Sequence, residues 1–103
     1  MFKITKSAAQ AIRHNARDGD MEDLALRIVA RREHDQSITY KMGFDEISDG
    51  DTLISSRGVD ILIRGPDKAL LNGTVLDYVE INAGQFNFIF MNPNDPYFQA
   101  PQE

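Results

Sequence analysis

Leu70-Leu-Asn-Gly-Thr-Val-Leu-Asp-Tyr-Val-Glu80, followed after a short turn by Phe86-Asn-Phe-Ile-Phe-Met-Asn-Pro-Asn94, is the stretch on which the fold turns. Gly65-Pro-Asp-Lys-Ala-Leu-Leu-Asn-Gly73 reads as a short helix, with Pro66 in its first turn and Gly73 just past its end. Ala69 and Leu70 are expected to pin it to the core. Residues 74–81 then read as a strand, and Asn82-Ala-Gly-Gln85 turns the chain into another at 86–91. Phe86, Phe88 and Phe90 share one face of that last strand as core aromatics, and Ile89 and Met91 make the other face apolar too. A strand apolar on both faces is expected in the middle of a sheet. Asn92-Pro-Asn-Asp-Pro96 ends it, because proline donates no ladder bond and asparagine favours turns.

Upstream, residues 5–18 predict an amphipathic helix. Thr5 or Ser7 can cap it, Ala8, Ala9, Ile12 and Ala16 form a narrow apolar face, and Gly19 stops it. Residues 24–32 alternate as a strand with Leu24, Leu26, Ile28 and Ala30 inward, while Arg27 and Arg31 share the wet face. A second strand over 38–44 places Ile38, Tyr40, Met42 and Phe44 on one face. Between the two, Glu33-His-Asp-Gln-Ser37 reads as a hairpin loop. Asp45-Glu-Ile-Ser-Asp-Gly-Asp51 reads as an acidic, exposed turn. Shorter strands over 52–56 and 59–64 meet at Arg57-Gly58, with Val59, Ile61 and Ile63 inward. The expected architecture is β-rich α+β: one N-terminal helix, six or seven strands and a short helix between two of them. Residues 1–96 form one domain, and residues 97–103 are expected to be a flexible tail.

Composition narrows function. The 103 residues leave room for one core, and 42% hydrophobic with 26% charged residues is ordinary for a soluble globular domain. No apolar run reaches membrane-spanning length, and no signal peptide precedes the first helix, so no membrane is implied and the cytoplasm is the expected location. The net charge of −5 opposes nucleic-acid binding. There is no cysteine, which removes disulfides, thiolate zinc sites, thiol catalysis and the usual iron–sulfur ligation. No phosphate loop, dinucleotide fingerprint or nucleophile elbow occurs, so no catalytic residues are assigned and no enzyme is expected.

The order and spacing of these segments resembles the A-type iron–sulfur cluster carrier family (HesB/IscA-like). The likeness runs from Ile4-Thr5 and the Ala-rich helix through Leu26-Arg27-Ile28, Tyr40, Phe44 and Asp45-Glu46. It is densest from Gly58-Val59 through Leu71-Asn-Gly-Thr74 and Leu76-Asp-Tyr-Val79 to Phe88 and Asn92-Pro-Asn94. The resemblance implies a compact β-sandwich or pseudo-barrel that self-associates and works with the iron–sulfur assembly machinery. It also implies three ligand cysteines, one in the loop after the strand containing Leu26 and a Cys-Gly-Cys pair after the Asn-Pro-Asn turn. Counted without gaps, these positions hold Asp35, Gln99 and Pro101, with Ala100 between the last two.

The function implied is therefore a non-catalytic relative, an accessory or regulatory partner in iron–sulfur assembly that ligates no cluster through cysteine and carries no cofactor of its own. Its partners are a protein of that machinery and a second copy of itself. Two other readings compete: a mononuclear metal or small-ligand site at His34 and Asp35, and an interaction scaffold unrelated to cluster assembly. His14 lies off the apolar face of its helix and reads as solvated, as do Asp45, Glu46, Asp49 and Asp51, which lack the alternation of a calcium loop.

Overall fold

The computed structural model describes residues 1–98. Strand β1 (Lys3–Ile4) leads into helix α1 (Lys6–Asp18), followed by β2 (Ala25–Arg32), β3 (Ile38–Asp45), β4 (Asp51–Ser56) and β5 (Val59–Arg64). A 3-10 turn (Gly65–Asp67) and the single-turn helix α2 (Lys68–Leu71) lead to β6 (Val75–Asn82) and β7 (Gln85–Met91). The strands form two sheets, one ordered β1-β6-β7 and one ordered β3-β2-β5-β4. The β1–β6 and β2–β5 pairs are parallel and the others antiparallel.

Helix α1 starts where its chemistry permits. The Thr5 hydroxyl accepts the Ala8 amide at 3.1 Å, satisfying one of the donors that a helix N-terminus leaves free. Ala8, Ala9, Ile12 and Ala16 are buried, and small side chains let the helix lie close to β6 and β5. The core between the layers collects Phe2, Ile4, Leu26, Ile28, Ala30, Ile61, Ile63, Leu71 and Leu76. The tight β4–β5 turn puts Arg57 (φ 49) and Gly58 (φ 79) in left-handed conformations, the primed geometry that matches strand twist.

The structure departs from expectation in several places. Strand β7 is an edge, bonded to β6 alone, and Phe86 is 50% exposed rather than a core aromatic. Ala69 is exposed and does not pin α2; Leu70, half-buried, packs against the core as expected, and the fully buried Leu71 joins it. Strand β1 has no counterpart in the periodicity; two residues pair with Val75 and Leu76 far along the chain.

The acidic turn, finally, is not simply solvated. β3 and β4 occupy opposite edges of their sheet, so residues 46–50 must cross it. Arg27 ties the crossing down: Nε donates to Asp45 at 2.8 Å, Nη1 and Nη2 grip Asp51 at 2.6 and 2.7 Å, and Nη2 also reaches the Glu46 carbonyl. The Asp51 side chain is 1% exposed and that of Arg27 15%, so this arginine does not lie on a wet face. Leu62, beside Arg27 in the parallel register, lies outside the core cluster and is nonetheless fully buried.

Candidate functional site

The hairpin joining β2 to β3 is built by its own polar residues. Glu33 donates its amide to the Ser37 carbonyl at 2.8 Å, Gln36 donates to the Glu33 carbonyl, and Gln36 takes φ 75 at the tip. Asp35 closes the turn, its Oδ1 accepting the Ser37 amide at 3.0 Å and the Ser37 hydroxyl at 2.6 Å. Those two bonds hold the Asp35 carboxyl below the usual carboxylate range, the hydroxyl contributing most. Glu33 is likewise lowered, chiefly by the Arg31 guanidinium, which meets it at 2.9 and 3.1 Å. The His34 side chain is exposed and makes no hydrogen bond or ion pair among the described residues.

A second element reaches this tip from the far end of the chain. Asn92 is fully buried at the end of β7, and its Nδ2 donates to the Leu70 carbonyl at 2.7 Å and the Tyr40 hydroxyl at 3.0 Å. Its Oδ1 accepts the Asn94 amide at 2.9 Å, an Asx turn bridging Pro93. Asn94 Nδ2 in turn donates to the carbonyls of Leu70 and Asn72 at 3.2 and 2.8 Å. The Asn-Pro-Asn bend is thus a clamp that fixes the exit of the chain against α2 and β3. Tyr40 stacks on Phe90 with ring centroids 4.0 Å apart, and burial pushes its hydroxyl pKa up against the opposing pull of the Asn92 bond.

From the clamp the chain runs to the hairpin. The Tyr97 hydroxyl donates to the Asp35 carbonyl at 3.1 Å, and Arg32 spans the gap by donating to the carbonyls of Gln36 at 2.7 Å and Asn94 at 3.4 Å. The structure therefore brings Asp35 together with the segment leading to Gln99 and Pro101, positions that themselves lie outside the described residues. His14 is elsewhere, its Nε2 3.2 Å from Asp18 on the exposed side of α1. Among the described residues no group of three or more His, Asp or Glu side chains is placed to hold a metal ion.

The residues that organise this site, Asn92, Asn94, Tyr40, Arg32 and Tyr97, were not singled out from the sequence for that role. A signal was present, since two asparagines flanking a proline favour side-chain-to-backbone turns; the sequence places a turn there without naming the partners those side chains take.

The family model described as iron-sulphur cluster biosynthesis matches residues 1–95. The "Iron-binding protein IscA" of Pectobacterium atrosepticum is 33% identical over 96 residues, covering 90% of this chain and 86% of that protein. The "Iron-sulfur cluster insertion protein ErpA 2" of Methylococcus capsulatus is 33% identical over 95 residues, covering 90% of this chain and 72% of that one. Among solved structures, that of IscA with the [2Fe-2S] cluster superposes with a TM-score of 0.70 at 26% identity, over 90% of this chain and 83% of that one.

Proposed function

The chain belongs to the iron–sulphur cluster biosynthesis family, and from that membership we propose that it serves cluster assembly as a non-catalytic accessory protein that ligates no cluster itself. One observation carries the reading. The clamp at Asn92 and Asn94 still delivers the C-terminal segment to the Asp35 hairpin, while the whole chain contains no cysteine. The two segments meet at Tyr97 and Asp35, in a chain that offers no thiolate.

The chemistry of the remaining donor set supports this. A cluster needs soft anionic sulfur; Asp35 offers one hard carboxylate, already committed through Oδ1 to Ser37, Gln99 offers a neutral oxygen and Pro101 nothing. Two subunits facing one another would double a set that still lacks any thiolate. The cargo named for the structural relative does not fit these residues, and no step through it is assigned. What the fold retains is surface: a scaffold that a partner in the assembly machinery can recognise, in the cytoplasm where its expected partners work.

Anaerobic reconstitution with ferrous iron and sulfide tests the claim. The protein should emerge colourless after desalting, without sulfide-to-iron charge-transfer absorption. A brown protein holding stoichiometric iron and acid-labile sulfide would overturn it.

A further inference from the structure

We infer that the cleft between the end of β2 and the turn leading into α2 binds a small organic oxyanion of two or more charges, a phosphate monoester or a dicarboxylate, that also carries a hydroxyl group. The inference is independent of any role in cluster assembly.

Strand register makes the cleft. β5 pairs with β2 only as far as Ile63 opposite Ile28, and the chain then turns off at Gly65. β2 continues to Arg32 with β3 as its one strand neighbour. Beside it lies a cleft of about 400 Å³, lined by residues 29–32 and 39–41 on one side and by Arg64, Asp67 and Leu70 on the other. That volume falls in the range of small-molecule sites.

Four of the chain's 11 lysines and arginines line this one cleft: Arg31, Arg32, Lys41 and Arg64. Thr39 stands opposite Arg31 in the ladder, so Arg31 and Lys41 are diagonal neighbours on one face, within reach of a single bound group. The Lys41 ammonium makes no hydrogen bond or ion pair among the described residues. Arg32 donates to the carbonyls of Gln36 and Asn94, which leave its charge unneutralised. Arg31 is paired with Glu33, but its side chain is 77% exposed, and a surface pair of that kind is easily exchanged. Setting Glu33 and Asp67 against the four cations leaves the cleft positive in a chain of net charge −5, so its field favours an anion. Guanidinium forks match the paired oxygens of a carboxylate or a phosphate.

Asp67 sets the second requirement. Its side chain is 6% exposed, and three donors share Oδ2: the Ala30 amide at 3.4 Å, and Nε and Nη2 of Arg64, each at 3.3 Å. Charge-assisted bonds run at about 2.7–2.9 Å, so Arg64 is loosely held and free to turn toward an incoming anion. Oδ1 has no hydrogen-bond partner among the described residues, and a carboxylate oxygen in the wall of a cleft can only accept. A bare oxyanion would set like charge against it. A hydroxyl on the same molecule satisfies it.

Titration of the isotope-labelled protein at about 0.15 M salt, followed through its amide resonances, tests the site without interference from weak surface attraction. Glycerol phosphate and malate are the probes; methyl phosphate and succinate are their counterparts without the hydroxyl. At least one probe should bind saturably and shift residues 29–32, 39–41 and 64–67, and the one that binds distinguishes phosphoryl from carboxylate recognition. Its counterpart should bind about threefold or more weakly, for want of the bond to Asp67. Lys41→Ala removes a side chain that holds nothing in the fold, and should weaken binding about tenfold, as should Arg64→Ala. Lys6→Ala on α1 should change nothing. Saturation by neither probe, equal affinity for the counterpart, or binding that Lys41→Ala leaves intact or Lys6→Ala weakens as much would overturn the inference.

Discussion

Truncating Asn92 to alanine removes the centre of the clamp that joins the C-terminal segment to the rest of the fold. Asn92 is fully buried and makes four side-chain hydrogen bonds: Nδ2 to Tyr40 and Leu70, and Oδ1 from the Asn94 amide and Nδ2. Not all are lost without replacement. The Leu70 carbonyl keeps its bond from Asn94 Nδ2, and that nitrogen keeps Asn72 as well. The Asn94 amide and the Tyr40 hydroxyl lose their partners. At about 1 kcal/mol for each net bond, with a further contribution from the small void, Asn92→Ala should cost about 2–3 kcal/mol. In a domain of this size that corresponds to a fall in Tm of about 10–20 °C. Urea unfolding followed by far-ultraviolet circular dichroism should show the midpoint falling at unchanged m-value. Amide resonances of residues 33–37 should shift too, because the Tyr97 contact with Asp35 depends on the clamp. Asn92→Asp is the sharper control. It keeps the shape and the acceptor but loses both donations and buries a carboxylate, so it should exceed alanine in cost at neutral pH. Its folded-state pKa lies above the unfolded value, so part of that loss should be recovered as pH falls toward about 4. A change below about 0.5 kcal/mol for Asn92→Ala would refute the clamp as a source of stability.

Three further outcomes follow from the structure. Asp51 is held well below the usual carboxylate range and Asp45 below it, each first by the Arg27 guanidinium, so they stabilise the fold above their unfolded pKa and stop doing so as pH falls through their folded values. Thermal melts should therefore decline below about pH 4 for the wild type and show a flatter acid limb for Arg27→Gln; identical pH profiles would contradict the lock. Gly73→Ala puts a Cβ at φ 79 and 3.3 Å from Pro93 Cγ, and should cost about 1–2 kcal/mol by urea unfolding, with no change disproving the close approach of α2's exit to the bend. Calorimetric titration with Fe(II), Zn(II) or Mn(II) should give no heat at micromolar metal, because His34 and Asp35 are at most two donors; heat that disappears in His34→Ala would instead establish a mononuclear site at the hairpin.

The two-residue alternation of β2 and β5 was legible because one face of each strand is buried, so Leu26, Ile28, Ile61 and Ile63 carry the pattern even though Leu62 on the other face of β5 is buried too. The helix was legible for the same reason, with a cap and a stop at its ends. What the sequence withheld depends on partners far along the chain. β1 is two residues, too short for any period, and exists only because β6 lies alongside it. Asp51 looks like any turn carboxylate until the crossing of the sheet sets it against Arg27, 24 residues away. β7 misled because apolar side chains on both faces of a strand do not say whether its backbone has a neighbour on each side. At the site, the hairpin and the Asn-Pro-Asn bend were each legible, and the matching of Asp35 to a family cysteine position rested on resemblance alone. The bonds that join the two were not, since Asn92 to Tyr40 and Tyr97 to Asp35 span 52 and 62 residues.

If the scaffold is intact and only the donors are missing, restoring cysteines at the matched positions should restore cluster binding. Anaerobic reconstitution of the wild type beside the variant Asp35→Cys, Gln99→Cys, Ala100→Gly, Pro101→Cys should leave the first colourless and turn the second brown, with iron and sulfide in equal amounts. A coloured wild type would show that this chain holds a cluster by other means, and a folded, thiol-bearing variant that stays colourless would show that the two segments no longer meet as a site.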